Sequence, residues 1–250
     1  MRVSSERDQS DIQEVGVAEE SPTLALFDVD GTLIRTEGPS PHTRAFKAAF
    51  EAVYGMECRF TPGLHGMTDL QIFMTLAKEQ GLGDSKPEEM AREACRRMTK
   101  IYQTLAGGDS YYIKLPGVDT LLETLSHNGV LLGLVTGNVP EIALHKLASV
   151  GLASFFAFGA FGSEALDRNA LPPLAVSRAQ QLAGIHIEPA RVIVLGDTPR
   201  DVICALENGY RSVAVATGNF REEELFAAGA ELVLPDLKDP SPLMRLINNR

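Results

Sequence analysis

At 250 residues, with 44% hydrophobic and 22% charged side chains, the chain is long enough for one sizeable core and a smaller module. A net charge of -10 argues against broad binding to nucleic acid or an anionic membrane, and every apolar run is too short to span a bilayer. Three scattered cysteines, Cys58, Cys95 and Cys204, form no CxxC pair, which argues against a disulfide framework or structural zinc and for a reducing, cytoplasmic setting.

Residues 1–21 carry six acidic and two basic side chains and no apolar signal core, so they read as a flexible acidic tail. The run Leu24-Ala25-Leu26-Phe27 predicts a short buried strand, and Gly31-Thr32 the turn that ends it. Ser40-Pro41 then suits a helix start, with Ala45, Phe46, Ala49, Phe50 and Val53 at helical spacing and Gly55 as the stop. A second helix is predicted from Thr68 to Gly81 and a third from Pro87 to Leu105. No strand is expected across 37–114, so this stretch reads as an all-helical insertion.

Past Pro116-Gly117 the pattern alternates. Strands are predicted at Val130–Val135, Val192–Leu195, Ser212–Ala216 and Glu231–Leu234, with a further short apolar run at Phe155–Phe161. Helices are predicted around Leu121–Leu125, Pro140–Val150, Leu174–Leu182 and Val202–Glu207, and after Arg221. Helical crossovers of this length join parallel neighbours. The expected fold is therefore α/β, a doubly wound and mainly parallel sheet (a Rossmann-like core) with an inserted helical cap. The expected division is a tail over 1–21, a core over 22–36 and 115–250, and a cap over 37–114.

The chemistry gathers at the predicted strand ends. Asp28 and Asp30 close the first strand, at the edge where open α/β sheets hold their sites, and they repel each other unless a cation intervenes. Val135-Thr136-Gly137-Asn138 supplies a hydroxyl, a flexible turn and an amide, and the N–H groups of such a turn suit an anion. Gly196-Asp197-Thr198-Pro199-Arg200-Asp201 adds two more carboxylates, and the loop Asp167-Arg168-Asn169 a cation. These parts suit phosphoryl transfer. Asp28 would attack and form an aspartyl-phosphate, with Asp30 carrying protons for leaving group and water. Thr136, with Gly137 and Asn138, would hold phosphoryl oxygens. Asp28, Asp197 and the backbone carbonyl of Asp30 would hold Mg2+, with Asp201 orienting from the outer sphere.

Over roughly residues 22–235 the chain resembles the haloacid dehalogenase-like hydrolase superfamily. Asp28-Val29-Asp30-Gly31-Thr32-Leu33 matches that family's first motif, Thr136 the second, and Gly196-Asp197-Thr198-Pro199-Arg200-Asp201 the fourth. The helical insertion resembles the cap class of phosphoglycolate phosphatases and β-phosphoglucomutases, and Gly66-Met67-Thr68-Asp69 resembles the cap loop that dips into the site to select substrate. The third motif departs from the pattern: a lysine followed by Pro-x-Pro is usual, and here the segment is Asp-Arg-Asn-Ala-Leu-Pro-Pro. Arg168 is then the candidate cation opposing phosphoryl charge, and Arg178 the alternative.

The resemblance implies an Mg2+-dependent phosphatase acting on a small phosphorylated metabolite; the chain is expected to be a monomer or homodimer, the exposed cap surface being what would support a dimer. A sugar-phosphate mutase shares the same motifs, and a catalytically silent binding protein could share the fold. Halide release is disfavoured because it needs no acid at the position of Asp30. His42 and His65 read as solvated loop histidines, Tyr111 and Tyr112 as hinge packing, and the cysteines as packing residues.

Overall fold

The apolar run ahead of Asp28 forms the middle of the sheet. In a computed structural model describing residues 21–38, 40–82, 86–107 and 111–249, strand β1 (Leu24–Phe27) is wholly buried. Its side chains alternate between two apolar layers: Ala25 and Phe27 join one cluster, Leu24 and Leu26 another. A parallel strand covered on both faces needs this unbroken apolar run, since period two sends neighbours to opposite layers. The expected acidic tail lies outside the described residues, apart from Ser21.

After β1 the chain forms β2 (Ile34–Thr36), helices α1 (Pro41–Tyr54), α2 (Asp69–Glu79) and α3 (Pro87–Leu105), and β3 (Tyr112–Lys114). Next come α4 (Val118–His127), β4 (Leu131–Thr136), α5 (Pro140–Ser149), β5 (Gly159–Phe161) and α6 (Leu171–Ala183). The chain ends with β6 (Val192–Gly196), α7 (Pro199–Leu206), β7 (Arg211–Val215), α8 (Glu222–Ala227), β8 (Leu232–Leu234) and α9 (Ser241–Asn248).

Six strands form one parallel sheet in the order β5-β4-β1-β6-β7-β8. The chain runs from β1 outward through β4 and β5, then crosses to β6 and continues the other way, so the winding reverses beside β1. Strand register builds the site's edge. Phe27 lies opposite both Leu134 and Leu195, so Asp28, Thr136 and Asp197 emerge together there.

The insertion is helical, with one correction: its return leg is a strand. β2 and β3 pair antiparallel, Ile34 opposite Lys114 and Thr36 opposite Tyr112, so both legs of the insertion leave the core as one ribbon. Ser40 and Thr68 cap α1 and α2 as their positions predict, each accepting a backbone N–H, and Gly55 ends α1 in a left-handed turn. The three helices surround their own apolar cluster, with the Phe46 and Phe73 rings stacked at 3.8 Å. Val139 and Ile142, at the start of α5, extend that cluster onto the core. Helix α9 is an addition to the expected elements, and its Leu243 and Ile247 pack into the main layer. Among the described residues no helix is long and apolar enough to cross a membrane.

Candidate active site

Asp28 is the first residue past β1. Its N–H donates to the Leu195 carbonyl (2.8 Å), which fixes it against β6. Arg168 reaches it from a short turn before α6: Nη2 donates to Asp28 Oδ1 at 3.0 Å and to Asp201 Oδ1 at 2.5 Å. Nη1 donates to the Gly66 carbonyl at 3.2 Å, so the same guanidinium touches the cap loop. All three charged side chains are buried. Burial alone would weaken the Arg168 charge, but Asp201 and Asp28 outweigh it and hold the group firmly protonated.

Asp197 sits in a cradle of glycines. A Cβ on Gly31, whose φ is +86°, would come 2.3 Å from Asp197 Oδ2, and one on Gly218 would come closer still. Asp197 Oδ1 is buried without a hydrogen-bond partner. Asp201 has two tasks at the start of α7: its Oδ2 accepts from Thr198 N–H (3.0 Å) and Oγ1 (2.7 Å) in a capping box, while Oδ1 meets Arg168.

Carboxylate oxygens of Asp28, Asp197 and Asp201 lie within 4.8 Å of one another. Burial, opposed by Arg168 and reinforced by Asp201 and Asp30, pushes Asp28 up to about 7. Burial, with Asp28 and Asp201 close by, pushes Asp197 up to about 9. One guanidinium does not neutralise this cluster. Hard oxygen donors, an orphaned Asp197 oxygen and uncompensated negative charge fit a divalent cation such as Mg2+. The Asp30 side chain stands outside that group.

Asp30 turns the other way. Its Oδ2 accepts from Lys146 Nζ (2.7 Å) and Asn138 Nδ2 (2.8 Å). Burial would raise its proton affinity, but the charge and hydrogen bond of Lys146 outweigh this and hold it below the usual carboxylate value. Thr136 Oγ1 accepts from Asn138 Nδ2 (2.7 Å) and N–H (3.3 Å), which keeps its own O–H for a donor role. Asn138 is thus fully engaged, with Oδ1 accepting from Lys146 at 2.8 Å.

The cap loop is seated on this edge. Asp69 N–H donates to the Gly137 carbonyl (2.7 Å), and the Asp69 carboxylate accepts from Val139 N–H (3.0 Å). Thr68 lies behind the loop, its Oγ1 donating to the Leu166 carbonyl at 3.2 Å. A cavity of about 510 Å³ results, lined by Asp28, Asp30, Gly66, Asp69, Thr136, Gly137, Asn138, Arg168 and Asp197 among others. Only Thr68 and Asp201 of the expected set sit behind its wall.

Residues 25–215 match the family model described as haloacid dehalogenase-like hydrolase. The chain belongs to that family. The phosphoglycolate phosphatase 1 of Pseudomonas aeruginosa is 25% identical over 88% of this chain and 79% of its own. A solved hydrolase from Pseudomonas syringae superposes with a TM-score of 0.66 at 22% identity, covering 90% of this chain and 99% of that one. A β-phosphoglucomutase from Clostridium difficile superposes with a TM-score of 0.65 at 20% identity, covering 91% and 97%.

Two side chains of this hydrolase's site escape the motifs. Lys146 is a core residue of α5, buried in line with Ile142, Ala143 and Leu147. A lysine interrupting an apolar stripe is a readable signal. His42, expected in solvent, is instead largely enclosed in the first turn of α1, with Nδ1 3.2 Å from Lys146 Nζ. Nothing local marks it, because its partners lie far along the chain.

Proposed function

We propose that this hydrolase is a magnesium-dependent phosphatase that cleaves a small phosphorylated metabolite through an aspartyl-phosphate on Asp28. One observation carries the reading: Asp28 is buried at the sheet edge with Arg168 at 3.0 Å and two further carboxylates within 4.8 Å. That is an attacking group surrounded by the means to tolerate an anion. Asp28, Asp197 and the Asp30 backbone carbonyl would hold Mg2+, with Asp201 behind them. When bound, the ion offsets the acidic cluster so that a phosphate dianion can approach.

An Asp28 oxygen attacks phosphorus, the ester P–O bond breaks, and the departing oxygen takes a proton from Asp30. The arriving phosphate raises the proton affinity of Asp30 by like-charge repulsion, offsetting Lys146. Water then attacks the acyl phosphate, Asp30 takes its proton, and inorganic phosphate leaves. Thr136 and the Gly137 turn receive phosphoryl oxygens, Asn138 steadies Thr136 and Asp30, and Arg168 opposes the building charge. The proposed division remains a core over 22–36 and 115–250 and a cap over 37–114. Loop Gly66, Thr68 and Asp69 contributes to substrate choice. A cavity of about 510 Å³ suits a compact ester. Free, buried cysteines agree with a reducing, cytoplasmic setting.

The test is phosphate release across a panel of phosphorylated metabolites, with and without Mg2+, for the wild type and Asp28→Asn. The name of the Pseudomonas aeruginosa relative puts phosphoglycolate first in the panel. Turnover should require Mg2+ and fall at least about 1,000-fold in Asp28→Asn. Activity that survives the substitution counts against Asp28 as nucleophile. Isomerisation of a sugar phosphate without net phosphate release would favour the mutase reading.

A further inference from the structure

A lysine with only 2% of its side chain exposed has to be compensated by its partners, because an ammonium leaves water at high cost. Lys146 has three hydrogens to donate and meets three acceptors: Asp30 Oδ2 (2.7 Å), Asn138 Oδ1 (2.8 Å) and His42 Nδ1 (3.2 Å). The Tyr112 ring centroid lies 5.6 Å from Nζ. These groups come from four separate segments: the loop after β1, the turn after β4, the first turn of α1, and β3 of the ribbon.

The chain of contacts continues into the cap. An ammonium only donates, so His42 Nδ1 accepts and Nε2 carries the hydrogen. That Nε2 lies 3.3 Å from Asp69 Oδ2 without hydrogen-bond geometry, and the same oxygen accepts from Val139 N–H at 3.0 Å. Asp69 therefore meets both the cap helix and the core turn that its loop is docked on. Both bonds from Lys146 and Asn138 reach Asp30 through Oδ2, and together they fix the rotation of that carboxylate.

We propose that Lys146 is a positioning residue for Asp30, holding the proton-carrying carboxylate in place and tying it through His42 to helix α1 of the cap. The role given to Asp30 rests on the phosphatase reading; the polar chain itself does not. Lys146 does not line the cavity over Asp28; its contact with the proposed catalytic residues is the bond to Asp30 Oδ2. It acts by keeping Asp30 aimed, which matters most where the departing oxygen needs a proton.

Leaving-group dependence separates this role from a merely structural one. Wild type and Lys146→Met are compared, with Mg2+, on an alkyl phosphate from the panel and on para-nitrophenyl phosphate, whose phenolate departs with little proton assistance. On the alkyl ester kcat should fall about 100-fold with KM changed by less than about threefold, and on the nitrophenyl ester kcat should fall less than about tenfold. Equal losses on both esters, or none on either, overturn the proposal. Should Lys146→Met fail to fold, Lys146→Arg, which keeps the charge but misplaces it, is read in the same two assays. If the wild type hydrolyses no ester, the phosphatase reading fails by itself. Positioning is then read from a crystal structure of the variant, in which the Asp30 carboxylate should leave Asn138 Nδ2. A carboxylate still bonded there overturns it.

Discussion

Arg168 lies buried between Asp28 and Asp201 and donates to both through one nitrogen, while its other nitrogen meets the Gly66 carbonyl. Removing it leaves buried carboxylates without their cation, so Arg168→Ala is expected to cost about 3 kcal/mol in thermal or denaturant unfolding. The same variant should lose at least about 100-fold in kcat. Arg168→Lys should recover part of the stability and less of the turnover, because a point charge cannot span three acceptors. The acidic cluster has a pH signature of its own. Without metal, burial and mutual repulsion hold Asp28 and Asp197 well above the unfolded carboxylate value. The folded chain then binds more protons than the unfolded chain between about pH 4 and pH 9, so stability falls as pH rises through that window. Thermal scans in EDTA should show Tm dropping across it, and added Mg2+ should flatten the slope. A flat metal-free profile would count against the cluster as drawn.

Elements meet at this site with little room to spare. The turn after β4 runs so close to the cap loop that a Cβ on Gly137 would lie 2.2 Å from the Met67 carbonyl oxygen. Since Asp69 N–H bonds the Gly137 carbonyl, that contact is the seat of the loop. Gly137→Ala should lift residues 66–69 and lower kcat/KM about 100-fold through lost positioning. Far-UV circular dichroism should stay unchanged, because the clash lies between two turns and outside any strand or helix. Loss of the whole spectrum would show that the turn supports the fold rather than the site.

At the scale of the whole molecule, the cap helices and the sheet keep largely separate apolar clusters joined near Val139 and Ile142. Phe73 is fully buried between Phe46 and Phe50 in the cap cluster. Phe73→Ala should therefore cost about 3–4 kcal/mol. Hydrogen exchange should quicken through α1, α2 and α3 while amides of β1, β4 and β6 keep their protection. Uniform loss across both regions would mean that cap and sheet unfold as one unit. The net charge of -10 gives little guide to the interior, where Arg168 and Lys146 set the local field.

Read by itself, the sequence determined the strand before Asp28, the three cap helices and the alternation that makes a parallel sheet. Apolar period, helix caps and glycine stops are local, and a few adjacent residues suffice to express them. It also placed Asp28 and Asp197 at one edge, because each comes after an apolar run and parallel strands deliver their ends together; that Asp201 joins them while the Asp30 side chain stands outside was not legible. The three-residue strands β2 and β3 were too short to announce themselves, and α9 is a single eight-residue element, Ser241–Asn248, that the strand-and-helix alternation did not call for. Tertiary structure alone decided what holds Asp30. Lys146 lies 116 positions from it and His42 lies 104 positions from Lys146, and no local pattern records pairings at such range. It likewise decided that Asp30 faces a lysine while Asp28 faces an arginine: burial raises Asp28 with Arg168 only partly opposing it, whereas Lys146 holds Asp30 low.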